Sequence, residues 1–218
     1  MSEIKPKSMD TNPISSAVVD PLSNSDSIHA KRVYIMIGPQ GCGKTTWCKR
    51  HLANTLGIST KTLDLPNLSA LSLKRSFILS IDDYFFIYDS EKNTLNWKFS
   101  RPQYSKNFQL NMDEIYSRMN RDATPLYVDN CNMTQAKRNK YVELAKKFDY
   151  QVTFVDLTDE RCRGTEKQGW DVYASNLAKS GKKGVPLIAI SGALDGYEPE
   201  CNPEYGHVMF VKSHVPFQ

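Results

Sequence analysis

No stretch of this sequence approaches the roughly 18 consecutive apolar residues that a membrane-spanning helix needs. No basic segment followed by an apolar one opens the chain, so a secretory signal peptide is not expected. The five cysteines (Cys42, Cys48, Cys131, Cys162 and Cys201) include no C-x-x-C pair. Their odd number and scattered spacing argue against disulfides or zinc and for free thiols in a reducing, intracellular compartment, cytoplasmic or nuclear. His51, His207 and His214 show no ligand-like spacing. Charge is near neither extreme: 28 Lys+Arg against 24 Asp+Glu leave +4, which neither demands nor excludes nucleic acid. What is present, 40% hydrophobic and 24% charged residues, is ordinary for a soluble globular protein. A length of 218 residues suits one complete core and is short for two domains.

The charge is unevenly spread. Residues 1–30 hold Lys5 and Lys7 against Glu3, Asp10, Asp20 and Asp26, a balance of −2 that leaves +6 for the rest. Half of this segment is Ser, Pro, Asn or Asp and no apolar period emerges, so a flexible leader is expected there. The folded domain is expected over 31–218. Val33–Ile37 is a near-continuous apolar run, as in a strand buried on both faces. A glycine-rich turn and a helix to about Leu56 follow, then a loop or short insertion over 57–75. Phe77–Ile81 reads as a second strand. Met112, Ile115, Tyr116 and Met119 give helical periodicity, ended by Pro125. Leu126–Val128 and Val152–Val155 read as strands around a helix that Thr134 caps and that buries Tyr141, Leu144, Ala145 and Phe148. The tail shows one further strand near Val208–Val211. Strands alternating with helices predict an α/β fold wrapped around a parallel sheet.

Between the first strand and its helix stands Gly38-Pro39-Gln40-Gly41-Cys42-Gly43-Lys44-Thr45, followed by Thr46. It satisfies G-x-x-x-x-G-K-[ST] at every constrained position, in the strand–turn–helix context that this phosphate-binding loop requires. Gly38 and Gly43 permit backbone geometry and close approach that a Cβ would block. The loop amides and helix N-terminus then face a phosphate chain. Lys44 can reach β- and γ-phosphate oxygens, and the Thr45 hydroxyl can ligate Mg²⁺. The expected nucleotide is ATP or GTP.

In open α/β sheets ligands sit beyond the carboxyl ends of the strands. Two strands end there in acidic residues: Ser80-Ile81-Asp82-Asp83-Tyr84 and Val128-Asp129-Asn130-Cys131-Asn132. Such carboxylates can accept a proton from an attacking hydroxyl or hold Mg²⁺, or they can simply serve as turn formers. Residues 161–184 carry a local +4, including Lys179, Lys182 and Lys183. This charge suits a basic lid over a triphosphate, spanning about 158–186, or an ordinary solvated helix end. Lys137, Arg138, Lys140, Lys146 and Lys147 form a second basic face, with Arg138 best placed to track a polynucleotide backbone. The aromatic-rich stretch Tyr84–Tyr104, with Phe85, Phe86, Tyr88, Trp97 and Phe99, can stack a base or cover the sheet edge.

Gly38–Trp47, Ser80–Phe85 and Tyr127–Asp149, matching in order, resemble the phage-type polynucleotide 5′-kinase. They resemble still more the P-loop kinase domain of the NEDD4-binding-protein family, over roughly residues 31–198. That resemblance implies a P-loop NTPase fold with nucleoside-monophosphate-kinase-like architecture. It implies transfer of a phosphoryl group to the 5′-hydroxyl of RNA or DNA. Asp82 then corresponds to the general base, Lys44 and Asp129 to catalytic groups, and Thr45 with Asp129 to the metal site. Asp83, Asn130 and Arg138 are the substrate-facing candidates. Ser175–Pro186 resembles the kinase lid, with lysines where relatives place arginines. Phe85 stands where the phage enzyme has an arginine, so recognition of a 3′-phosphate is not carried over. A myelin-type cyclic-nucleotide phosphodiesterase shares the P-loop half, but the chain ends before paired H-x-T motifs, so that activity is not implied. A small-molecule P-loop kinase and a nucleotide-dependent nucleic-acid-binding module remain the alternatives.

Overall fold

The computed structural model describes residues 30–64, 68–92, 94–162, 169–181, 183–199, 201 and 203–211. Almost the whole expected leader lies outside them, as does Lys182 of the expected lid. The first strand, β1 (Arg32–Ile37), is buried from Val33 onward. Its apolar run is continuous because it has a strand on either side and helices over both faces. Its register pairs Val33 with Leu126 of β5 (Leu126–Val128) and with Val152 of β6 (Gln151–Asp156), both parallel. Burial of one such Val or Ile side chain is worth about 1.5–3 kcal/mol, so this strand is the centre of the core.

Helix α1 (Lys44–Leu56) follows and stops at Gly57, whose left-handed φ of 66° lets its N–H cap the carbonyls of Ala53 and Asn54. On the sheet, the register partners Tyr34 and Tyr127 stack at 5.1 Å, and Trp47 and His51 of α1 pack over them. His51 is thus an aromatic-cluster residue, hydrogen-bonded to the Tyr127 hydroxyl at 2.6 Å.

Residues 57–75 are more ordered than a loop: they form the short helices α2 (Thr60–Asp64) and α3 (Leu68–Arg75). Their buried residues are Leu63, Ala70 and Lys74, and such a thin stripe gives no helical period. The second strand is shorter than its apolar run. Only Ile78 and Leu79 (β2) pair with β5, because the Ser80 hydroxyl accepts from the Asp82 amide and turns Ile81–Phe85 into a 3₁₀ turn. The aromatic stretch is a separate antiparallel hairpin, β3 (Phe86–Asp89) and β4 (Thr94–Trp97). Helix α4 (Tyr104–Asn120) buries Asn107, Asn111, Ile115 and Met119, an i, i+4 stripe. Helix α5 (Gln135–Lys147) is capped by Thr134, whose side chain accepts from the Lys137 amide. Helices α6 (Trp170–Ser180) and α7 (Leu187–Asp195) follow β6, and β7 (His207–Phe210) closes the sheet.

The five-stranded sheet runs β2-β5-β1-β6-β7, all parallel. Chain direction across the sheet reverses at β1, the switch point where α/β folds bind ligands. The carboxyl ends of β1, β5 and β2 therefore lie side by side. No helix among the described residues is long and apolar enough to cross a membrane.

Candidate active site

The turn leaving β1 takes the backbone shape that its glycines allow. Gly38, Gly41 and Gly43 have φ of 142°, 86° and 103°, a region L side chains rarely enter. At Gly41 a Cβ would also stand 2.9 Å from the Leu177 carbonyl oxygen of α6, so the loop is wedged against that helix. Gly43 caps α1 without any side-chain hydrogen bond, which leaves the first-turn amides facing outward beside Thr45 and the exposed Thr46. Pro39, Gln40 and Cys42 complete the loop.

Lys44 is 8% exposed, and its ammonium donates to the carbonyls of Gly38 (2.9 Å) and Pro39 (2.7 Å). Burial by itself favours the neutral amine, but the Cys131 and Cys42 sulfurs and the Asp129 and Asp82 carboxylates hold it above the ordinary lysine range. Cys42 lies fully buried, and burial pushes its thiol up to about 11, so it is a packing residue and not a nucleophile. The Thr45 hydroxyl donates to the Asp129 carboxylate at 2.6 Å, joining the start of α1 to the end of β5. Asp129 is itself pinned by its ladder bond to Leu79.

Asp82 sits one strand further out, on the 3₁₀ turn after β2. Its side chain is 45% exposed, and its carboxylate pairs with Lys183 at 2.5 Å. The fold thus brings a residue of the expected lid onto the expected base, across 101 residues of sequence. The Lys183 ammonium also lies 5.5 Å from the Trp97 ring centroid. Lys179 is exposed on the last turn of α6.

Three substrate-facing candidates point elsewhere. Asp83 is buried and paired with Lys74 of α3 at 2.6 Å; burial raises its carboxyl pKa against the pull of that lysine. Asn130 accepts from the Ile81 amide (3.0 Å) and donates to Asn111 and the Tyr141 hydroxyl (each 3.3 Å). It fastens the Asp82 turn to the end of β5. Arg138 is 1% exposed and donates to the carbonyls of Asn132, Met133 and Glu198, so it braces the loop after β5 and presents almost no surface. A charge cluster in sequence gave no sign of this, because a buried arginine is satisfied by carbonyls that only the fold brings near.

Sequence reasoning missed Lys74, and reached Tyr104 only as the end of the aromatic stretch. Lys74 has no motif. Tyr104 opens α4 half-exposed, and its phenol pKa is raised by partial burial and, less, by the charges of Cys131 and Asp82.

No curated protein matches the chain. A solved fungal RNA kinase aligns over 86% of this chain and 78% of its own, with 13% identity and a TM-score of 0.52. Kti12 from Chaetomium thermophilum, solved with ADP-AlF₃, aligns over 83% and 88% at 15% identity and a TM-score of 0.46. A gluconokinase from Sinorhizobium meliloti aligns over 87% and 86% at 14% identity and a TM-score of 0.42. Residues 33–168, well over half of the sequence, match the AAA domain family. With the phosphate loop opening α1 and the sheet order that surrounds it, the chain is a P-loop kinase-like member of the AAA domain family.

Proposed function

We propose that this protein transfers the γ-phosphoryl group of ATP or GTP to a hydroxyl, the 5′-hydroxyl end of RNA or DNA. The observation that carries the reading is Asp82: a half-exposed carboxylate two strands away from the phosphate loop, with the lid lysine Lys183 on it. A protein that only bound nucleotide has no use for a base held at that place. The resemblance of three ordered motif blocks to polynucleotide 5′-kinases supplies the acceptor, and the fungal RNA kinase shares the fold.

The loop amides and Lys44 bind the β- and γ-phosphates, the phosphates replacing the Gly38 and Pro39 carbonyls as partners of the ammonium. Thr45 and Asp129 offer two hard oxygen donors 2.6 Å apart, which fits Mg²⁺, an ion that takes its remaining ligands from phosphate and water. When bound, it would neutralise charge on the phosphate chain. The acceptor hydroxyl oxygen attacks the γ-phosphorus, the bond from that phosphorus to the β–γ bridging oxygen breaks, and ADP or GDP leaves. Asp82 takes the hydroxyl proton. Lys183 leaves Asp82 for the γ-phosphate, so the lysine frees the base as it screens the transferring group, with Lys179 adding charge at the same edge. The lid spans about 158–186 within a kinase domain over 31–218. Lysine lacks the bidentate fork of arginine, so the lid acts by charge.

Incubation with γ-labelled nucleotide and a panel of 5′-hydroxyl oligonucleotides, nucleosides and small alcohols tests this. Label should appear on the oligonucleotide. Label confined to a small molecule, or no transfer while nucleotide still binds, would overturn the polynucleotide assignment.

A further inference from the structure

The segment after the hairpin is not used by the chemistry above, yet it borders the base. Trp97 ends β4, and its ring lies within the sum of two short distances from Asp82: 5.5 Å to the Lys183 ammonium and 2.5 Å from that ammonium to the carboxylate. Phe99 stacks on Trp97 with centroids 6.2 Å apart and planes 24° from parallel. Its other neighbour is the buried Phe85, at 5.1 Å. Phe99 nonetheless keeps 51% of its surface exposed and Tyr104 keeps 45%. Exposed Lys98 and Arg101 alternate with these rings along the chain. Phe85 is already buried beneath Phe99, and the outward faces of Phe99 and Tyr104 stay open to solvent.

Resting on the 5′-kinase reading, we infer that Trp97–Tyr104 is the acceptor platform, and that it binds the first nucleotides of a single strand. The rings stack the bases, which every base permits through its π-face. Lys98 and Arg101 meet the backbone phosphates between them. The span from Asp82 to the Trp97 ring is one that a nucleoside bridges between its 5′-oxygen and its base. The 5′-hydroxyl is thereby held at the carboxylate. Interleaved aromatic and basic side chains match a flexible single strand, whose bases are free to turn outward. A duplex end keeps its bases stacked on each other and fits the platform poorly.

Fluorescence anisotropy of a labelled single-stranded 5′-hydroxyl oligonucleotide, with transfer kinetics on the same oligonucleotide, tests this in the full chain. Phe99→Ala should weaken oligonucleotide binding about 5- to 150-fold, the loss of one base stack. The KM for ATP should not change. Phe99→Leu covers Phe85 without a π-face and should weaken binding as Ala does, whereas Phe99→Tyr should restore it. Lys98→Ala with Arg101→Ala should make the slope of log affinity against log salt shallower by about 1.4. Wild-type affinity in Phe99→Leu, or equal affinity for an oligonucleotide with abasic 5′-terminal positions, overturns the platform while transfer to the 5′-end leaves the kinase reading standing. Stacking losses as expected, with no transfer by the wild-type protein, uphold the platform and remove the kinase. Absence of oligonucleotide binding removes both.

Discussion

Lys44 is buried and held by two main-chain carbonyls, whereas Asp82, two strands away, is nearly half exposed and held by a single lysine. The phosphate side of the site is made of backbone: three glycines at positive φ, a helix N-terminus and a hydroxyl fixed to a buried aspartate. The proposed acceptor side is made of side chains on short elements, a 3₁₀ turn, a hairpin and the segment after α6. Phosphates are alike in every nucleotide, so a rigid main-chain cradle serves them all. Acceptors differ, and exposed side chains on small elements can be altered without disturbing the core.

The two sides should therefore fail differently. The sharpest separation is Asp82→Asn: kcat should fall about 10²–10⁴-fold while nucleotide affinity and melting temperature hold. Steady-state kinetics with calorimetric nucleotide binding measure it, and unaltered turnover would falsify Asp82 as the base.

The next effect tests whether the acceptor side, though exposed at its tip, is anchored inside. Lys74→Met leaves Asp83 as a buried unpaired carboxylate and should cost about 3–5 kcal/mol in urea unfolding. Replacing both partners, Lys74→Met with Asp83→Leu, should recover most of that loss. If the single and double variants unfold alike, the pair is not the anchor of the Asp82 turn.

The smallest expected effect lies on the phosphate side. Gly41→Ala forces a Cβ into left-handed backbone against the Leu177 carbonyl. It should cost about 1–2 kcal/mol from the backbone conformation, a drop of roughly 2–8 °C in melting temperature. Nucleotide affinity should fall with it, since the loop must shift. An unchanged melting temperature together with unchanged affinity would mean the loop is not wedged on α6 as described.

Much of the fold is legible in the residues. The buried β1 run, the glycine pattern, the Thr134 cap and the short tail strand all read correctly, because each depends on neighbours close in sequence. The shortening of β2 does not. Phe77–Ile81 is apolar but for Ser80, and that serine captures the Asp82 amide and ends the ladder early. Helices α2 and α3 are also hidden, since one leucine, one alanine and a paired lysine make no period.

The candidate site divides in the same way. The sequence alone determined the phosphate loop, because glycine conformations, a following helix and a lysine with a hydroxyl at fixed spacing are local requirements. It also marked Asp82 and Asp129 by their position at strand ends. Only the tertiary structure decided which neighbours serve packing. Asp83 is taken by Lys74, Asn130 by the turn it fastens, and Arg138 by two carbonyls just before its own helix and by the distant carbonyl of Glu198. Only it brought Lys183 to Asp82 and Trp97 to Lys183. The physical reason is that a buried polar group must find partners wherever the fold supplies them, and whether near or far in sequence those pairings follow no local pattern.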